Sequence, residues 1–135
     1  MSEKKNVVIV GGGVGGSLLA YILQNYCDVF LIDSKEYFEI SWASLRSMVE
    51  PSFATRTVIN HSEYLHNARI ISSPATDITR NEVMTKHGQR IAYDYLVVAT
   101  GHLENGSSTR QEKLNYYQRD EFDTISYLID INIHI

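Results

Sequence analysis

The sequence contains a single cysteine, Cys27, among 135 residues. A lone thiol excludes an internal disulfide framework and a C-x-x-C redox pair, and Cys27 reads as a small buried side chain where a helix meets a strand. No apolar run is long enough to cross a bilayer. The N-terminus, MSEKKN, is short and polar and leads straight into an apolar run, so it reads as neither signal peptide nor transit peptide. Residue 2 is Ser rather than Gly, which removes the myristoylation pattern. A cytoplasmic setting is therefore expected. Positive charge is also scarce. The formal net charge of −4 leaves no electrostatic footprint for nucleic acid or for an anionic membrane surface. Internal repeats and low-complexity tracts are absent. The length suits one domain with one core, but it is small for a dinucleotide enzyme with a separate substrate site.

The stretch VVIVGGGVGGSLLAYILQNYCDVFLID, residues 7–33, organises the rest. Val7, Val8, Ile9 and Val10 form a β-branched run of the kind found in parallel strands buried on both faces. Gly11, Gly13 and Gly16 then fit G-x-G-x-x-G. Gly11 suits a tight turn out of the strand, Gly13 lets a pyrophosphate approach the backbone, and Gly16 lets the following helix lie close to the strand. The helix, expected over residues 14–26 from Val14, presents its free N–H groups and dipole to phosphate. Leu18, Leu19, Ile22 and Tyr26 are expected to face the sheet. A second strand over residues 29–32 ends at Asp33, roughly 20 residues beyond the glycines, where a carboxylate can accept both hydrogen bonds of an adenosine ribose. Asp33 argues against a 2′-phosphate there, since two negative groups would meet. The motif does not separate FAD from NAD.

Beyond Asp33 the pattern is more varied. Lys35 stands near the expected adenosine or on the open surface. Residues 37–50 read as an amphipathic helix with Ser41 as N-cap, with Trp42, Leu45, Met48 and Val49 on one packed face, and with Pro51 as the stop. Arg46 on that helix is open to two readings: aimed at a pyrophosphate, or part of a surface ion pair. Residues 61–67 suggest a short helix, but the spacing of His61 and His66 is not that of a metal pair, and no metal is assigned. Residues 69–72, 75–79, 82–86 and 90–93 read as the strands of an antiparallel meander, with turn chemistry at Asn81 and at His87-Gly88. YLVVA, residues 95–99, returns to the buried-strand pattern and leads into Thr100 and Gly101. Residues 103–113 are polar and loop-like, 114–122 helix-like, and the tail SYLIDINIHI strand-like. The expected fold class is α/β, a Rossmann-like FAD/NAD(P)-binding domain with a parallel sheet and an inserted antiparallel β-meander.

Three segments in order carry a family resemblance: VVIVGGGVGGSLLA, LIDSKEYFEISWASLRSMVEPSFATRTVINH and YDYLVVATGH. Together they resemble the apoptosis-inducing-factor-like, ferroptosis-suppressor-like FAD-dependent pyridine nucleotide oxidoreductases, in their plant-type form. Type II NADH dehydrogenases are broader relatives. The resemblance covers residues 5 to 119, which sets an expected FAD-binding domain over 1–119 and a divergent tail over 120–135. It implies that Gly11, Gly13, Gly16 and Asp33 hold the ADP part of FAD; Val14, Lys35 and Arg46 join them as candidate cofactor-binding residues on the reading of the residues above. It also implies that Ala75 lies where main chain holds the adenine, and that Ala99, Thr100 and Gly101 pack beside the flavin nucleotide. NAD(P)H is then the electron donor in full-length relatives, and a quinone-like molecule the acceptor. Those relatives continue into a second glycine-rich motif, so the resemblance also implies an incomplete domain, inactive alone and self-associating through its unfinished sheet. The alternatives are a non-catalytic adenine-dinucleotide-binding module and a small NAD-binding Rossmann protein. The meander disfavours the second.

Overall fold

A computed structural model describes residues 3–101 and 108–119. Its centre is a four-stranded, all-parallel sheet built from β1 (Asn6–Val10), β2 (Asp28–Asp33), β5 (Arg69–Ser72) and β9 (Tyr95–Val98), in the order β5-β2-β1-β9. β1 is central, and alternation along it decides the layers. Val7 and Ile9 point to one face, where they meet Ala20, Val29, Leu31 and Leu65. Val8 and Val10 point to the other, where they meet Ile32, Val83 and Ile91. Both faces are thus covered, which is why β1 is apolar without interruption. Helix α1 (Val14–Leu23) lies on the first face. On the second lies an antiparallel meander of β6 (Ala75–Ile78), β7 (Glu82–Thr85) and β8 (Arg90–Ala92).

Between β2 and β5 the chain makes an excursion. β3 (Tyr37–Glu39) and β4 (Val58–Asn60) pair antiparallel and frame α2 (Ser44–Val49) and α3 (Ala54–Thr57). Helix α4 (Arg110–Tyr117) closes this unit. Leu114 and Tyr117 join Tyr37, Ala54 and Val58 in a separate small core. Arg110 fastens it, donating from Nε to the Val58 carbonyl at 2.8 Å and from its backbone N–H to Glu36 Oε1 at 2.8 Å.

Several expectations need correction. Residues 69–72 are not part of the meander. They form β5, parallel to β2, because their apolar pair Ile70 and Ile71 serves the two faces of the main sheet. Helix α1 ends at Leu23, short of the expected residue 26, and does not turn Leu18 and Ile22 to the sheet. These are 57% and 52% exposed, and Tyr26, beyond the helix, is 75% exposed, while Gly16, Ser17 and Ala20 face inward and Leu19 packs against the core as expected. Close approach of helix to strand selects the small residues. The helix expected over residues 37–50 is instead a strand, a 3₁₀ turn at Ser41–Ala43 and the six-residue α2. Ser41 makes no side-chain cap, and Trp42 and Leu45 are exposed. So short a helix turns just one buried residue inward, Ser47, whose hydroxyl meets Thr57 Oγ1 at 3.3 Å. The segment after Asn60 forms only a 3₁₀ turn, His61–Glu63. α4 starts at Arg110, inside the expected loop, because Thr109 and Glu112 form a capping box there. The strand-like tail falls outside the described residues.

Candidate functional site

The carboxyl ends of β1, β2 and β9 open on one cavity of about 870 Å³. Open parallel sheets bind ligands at this end, where the connections diverge to either side of a central strand. The glycine turn is clamped from both neighbours. Gly11 N–H donates to the Ile32 carbonyl at 2.8 Å, and Ala99 N–H to the Val10 carbonyl at 2.8 Å. Gly11 sits at φ +105°, and a β-carbon there would lie 2.3 Å from the Ala99 carbonyl oxygen. One at Gly16 would lie 1.8 Å from the Gly11 oxygen. These two glycines let backbone meet backbone. Gly13 differs: nothing lies within 4 Å of its missing β-carbon, so it presents open backbone to the cavity. α1 begins at the next residue, with no side-chain cap and no acidic residue in its first turn. Its N–H groups are thus available to an anion, without a competing carboxylate.

The cavity gathers Gly11, Gly13, Val14, Asp33, Lys35, Ala75, Ala99, Thr100 and Gly101 on its walls. Gly16 stands behind the wall, under Gly11. Arg46 is not brought in. Its Nε pairs with Glu50 at 3.2 Å and its guanidinium lies 3.9 Å from the Phe53 ring centroid, both on the surface. Lys35 Nζ stands 4.0 Å from Asp33 Oδ1 and over the Tyr37 ring. Farther along, a buried pair unforeseen from the sequence lines the same cavity. Lys113 Nζ lies 3.1 Å from Glu39 Oε2, and Tyr117 donates to the other oxygen of Glu39.

Asp33 is more elaborately held than its sequence position suggests. It is buried, and its Oδ2 lies 2.8 Å from Nε2 of His61. Its Oδ1 accepts the Lys35 N–H at 3.3 Å. His61 is fully buried, and its Nδ1 lies 2.6 Å from the Tyr64 hydroxyl. Burial pushes the Tyr64 phenol up, opposed by a hydrogen bond with the Ser17 side chain and reinforced by the Asp33 charge. Ser17 in turn donates to the Gly12 carbonyl at 2.8 Å. Gly12 is sterically locked as well: a β-carbon there would lie 2.4 Å from Asp33 Oδ2 and 2.6 Å from the His61 ring. Sequence reasoning missed Gly12 and His61. The middle glycine of a run has no assigned role in the motif, and nothing in spacing places residue 61 beside residue 33. Among the described residues no group of three or more His, Cys, Asp or Glu could hold a metal, and no helix is long and apolar enough to cross a membrane.

A central β-α-β unit, a glycine turn at a helix N-terminus and an acid closing the second strand define a dinucleotide-binding domain of Rossmann type. Its sheet resembles part of a larger solved structure. The sulfide:quinone oxidoreductase of the hyperthermophilic bacterium Aquifex aeolicus superposes with a TM-score of 0.62 at 29% identity, over 84% of this chain and 31% of that one. In curated sequences, apoptosis-inducing factor homolog A of Dictyostelium discoideum is 36% identical over 125 residues, which is 86% of this chain and 30% of that protein. Human ferroptosis suppressor protein 1 is 37% identical over 98 residues, which is 71% of this chain and 26% of that protein. The chain thus spans about a third or less of the relatives it matches. Residues 2–128 match the pyridine nucleotide-disulphide oxidoreductase family, and the chain belongs to it.

Proposed function

We propose that this chain is the FAD-binding portion of an NAD(P)H-dependent flavoprotein oxidoreductase that passes electrons to a quinone-like acceptor. The observation that carries the reading is the convergence of open Gly13 backbone, an uncapped helix start and Asp33 on one cavity. The residues fit such a cofactor. Gly13 and Val14 would face the pyrophosphate and Asp33 the adenosine ribose, with Lys35 nearby. Ala75 would lie toward the adenine, and Ala99, Thr100 and Gly101 beside the flavin nucleotide. The cavity volume lies within the roughly 300–1,000 Å³ of small-molecule sites. When bound, the flavin would supply hydride and electron chemistry, and the protein would supply position and field. Family membership and the name of the sulfide:quinone oxidoreductase support the quinone-like acceptor.

Residues 1–135 carry one G-x-G-x-x-G motif. That favours a second reading, a non-catalytic adenine-dinucleotide-binding module, and on either reading the 135-residue chain by itself has negligible NADH oxidase activity. The test is an absorbance spectrum of the purified chain, taken after adding FAD and removing the excess. A retained flavin spectrum is expected. NAD binding with no flavin retained would overturn the FAD assignment, and flavin-dependent NADH turnover by this chain would overturn the inactivity.

A further inference from the structure

We propose that His61 orients Asp33 for the ribose of the bound nucleotide by holding its Oδ2. The inference rests on the cofactor reading above and adds a residue which that reading does not contain.

A tyrosine hydroxyl has one proton to donate, and an ionised carboxylate only accepts. Tyr64 donating to His61 Nδ1 across 2.6 Å leaves the imidazole proton on Nε2, which then donates to Asp33 Oδ2 across 2.8 Å. On this assignment the chain of bonds runs from phenol to imidazole to carboxylate. Its members are fixed independently. His61 backbone N–H donates to the Glu36 carbonyl at 2.9 Å, and its ring meets the Tyr64 ring edge-on. The ring also occupies the space a Gly12 side chain would need. Asp33 therefore cannot swing freely between sugar and solvent. Oδ2 is held by the imidazole and Oδ1 by the Lys35 N–H. Each oxygen keeps room for one further donor, and Asp33 lines the cavity where the ribose would lie.

A His61 that merely fills the core would affect all nucleotides alike, whereas one acting through Asp33 affects only those with ribose hydroxyls. The test measures ADP and 2′,3′-dideoxy-ADP binding by calorimetry on the 135-residue chain and on His61→Phe, His61→Gln and Tyr64→Phe. Nitrogen-15 NMR of the imidazole reads the tautomer without ligand. The unaltered chain should prefer ADP by about tenfold or more, the size of a charged hydrogen bond. His61→Phe should bring that ratio close to one while dideoxy-ADP affinity stays near its original value. His61→Gln, which keeps a donor at the Nε2 position, should restore most of the preference. Tyr64→Phe, the milder change, should lower the ratio and release the Nε2–H tautomer. Equal loss of both nucleotides in His61→Phe, an undiminished ratio, or an Nδ1–H tautomer in the unaltered chain would overturn the assignment of His61. Binding of neither nucleotide by the unaltered chain would overturn the cofactor reading, and this inference with it.

Discussion

At Gly12 a β-carbon would fall 2.4 Å from Asp33 and 2.6 Å from His61, while at Gly13 it would meet nothing within 4 Å. Two adjacent glycines should therefore respond oppositely to alanine. Gly12→Ala should destabilise the fold by about 1–3 kcal/mol, the range for overpacking a filled site, as read from the denaturant midpoint. Gly13→Ala should leave stability within about 0.5 kcal/mol, as at an unobstructed surface position, yet weaken FAD retention because it fills the proposed pyrophosphate wall. Asp33→Ala should weaken adenine-nucleotide binding by about 1–3 kcal/mol, the scale of a lost charged hydrogen bond, with unchanged calorimetric affinity counting against the ribose role. Much of this site was legible in the sequence. Gly11, Gly13 and Asp33 have spacing fixed by the strand-turn-helix-strand geometry itself, and the structure does bring them to one cavity. His61 was not legible, because its partner stands 28 residues away and the two meet only through the path of the chain between them.

Helix α4 shows how an element can be held by its ends. Glu112 accepts the backbone N–H groups of Thr109 and Ser108 at 3.1 and 3.0 Å, and these bonds hold its carboxyl below the ordinary glutamate range. The folded pKa is thus lower than the unfolded one. The cap contributes fully above the unfolded value and is lost as pH falls through the folded value. Glu112→Gln should flatten that acid-side loss in a pH series of thermal melts. Thr109→Ala should cost about 1 kcal/mol, the usual value of an N-cap. Elements whose partners are set by local pattern were the readable ones: β1, β2 and β9 by their continuous apolar runs, and the three strands of the meander by their turns. β5 was readable as a strand but not as a parallel one. An isolated RIIS carries no mark of its neighbour, and its place beside β2 is decided by the excursion through β3 and β4. The inward side of α1 was misread for a related reason. Periodicity finds the greasy stripe, whereas contact with the strand at Gly11 demands the small one.

At the scale of the whole molecule, apolar surface remains uncovered among the described residues. Leu18, Tyr21 and Ile22 stand out from α1, and Tyr95 and Val98, at 62% and 59% exposure, lie on β9, the edge of the sheet among the described strands. An edge left open by the described residues, beside exposed apolar side chains, invites pairing with another chain. Sedimentation velocity on the 135-residue chain should accordingly show oligomers growing with concentration. A monodisperse monomer at high concentration would contradict this. The position of β1 in the middle of the sheet has a temporal counterpart. Its two flanking strands come from far apart in the chain, and the Asn6 N–H that donates to Asp94 Oδ2 bridges 88 positions. During synthesis β1 can dock with β2 early, but it waits for β9 as a bare rail until the meander has emerged. Low-order contacts form first and the long span closes last, where loop entropy is greatest. The clamp on the glycine turn needs Ala99, so the nucleotide cradle is expected to be completed late in the assembly of this chain.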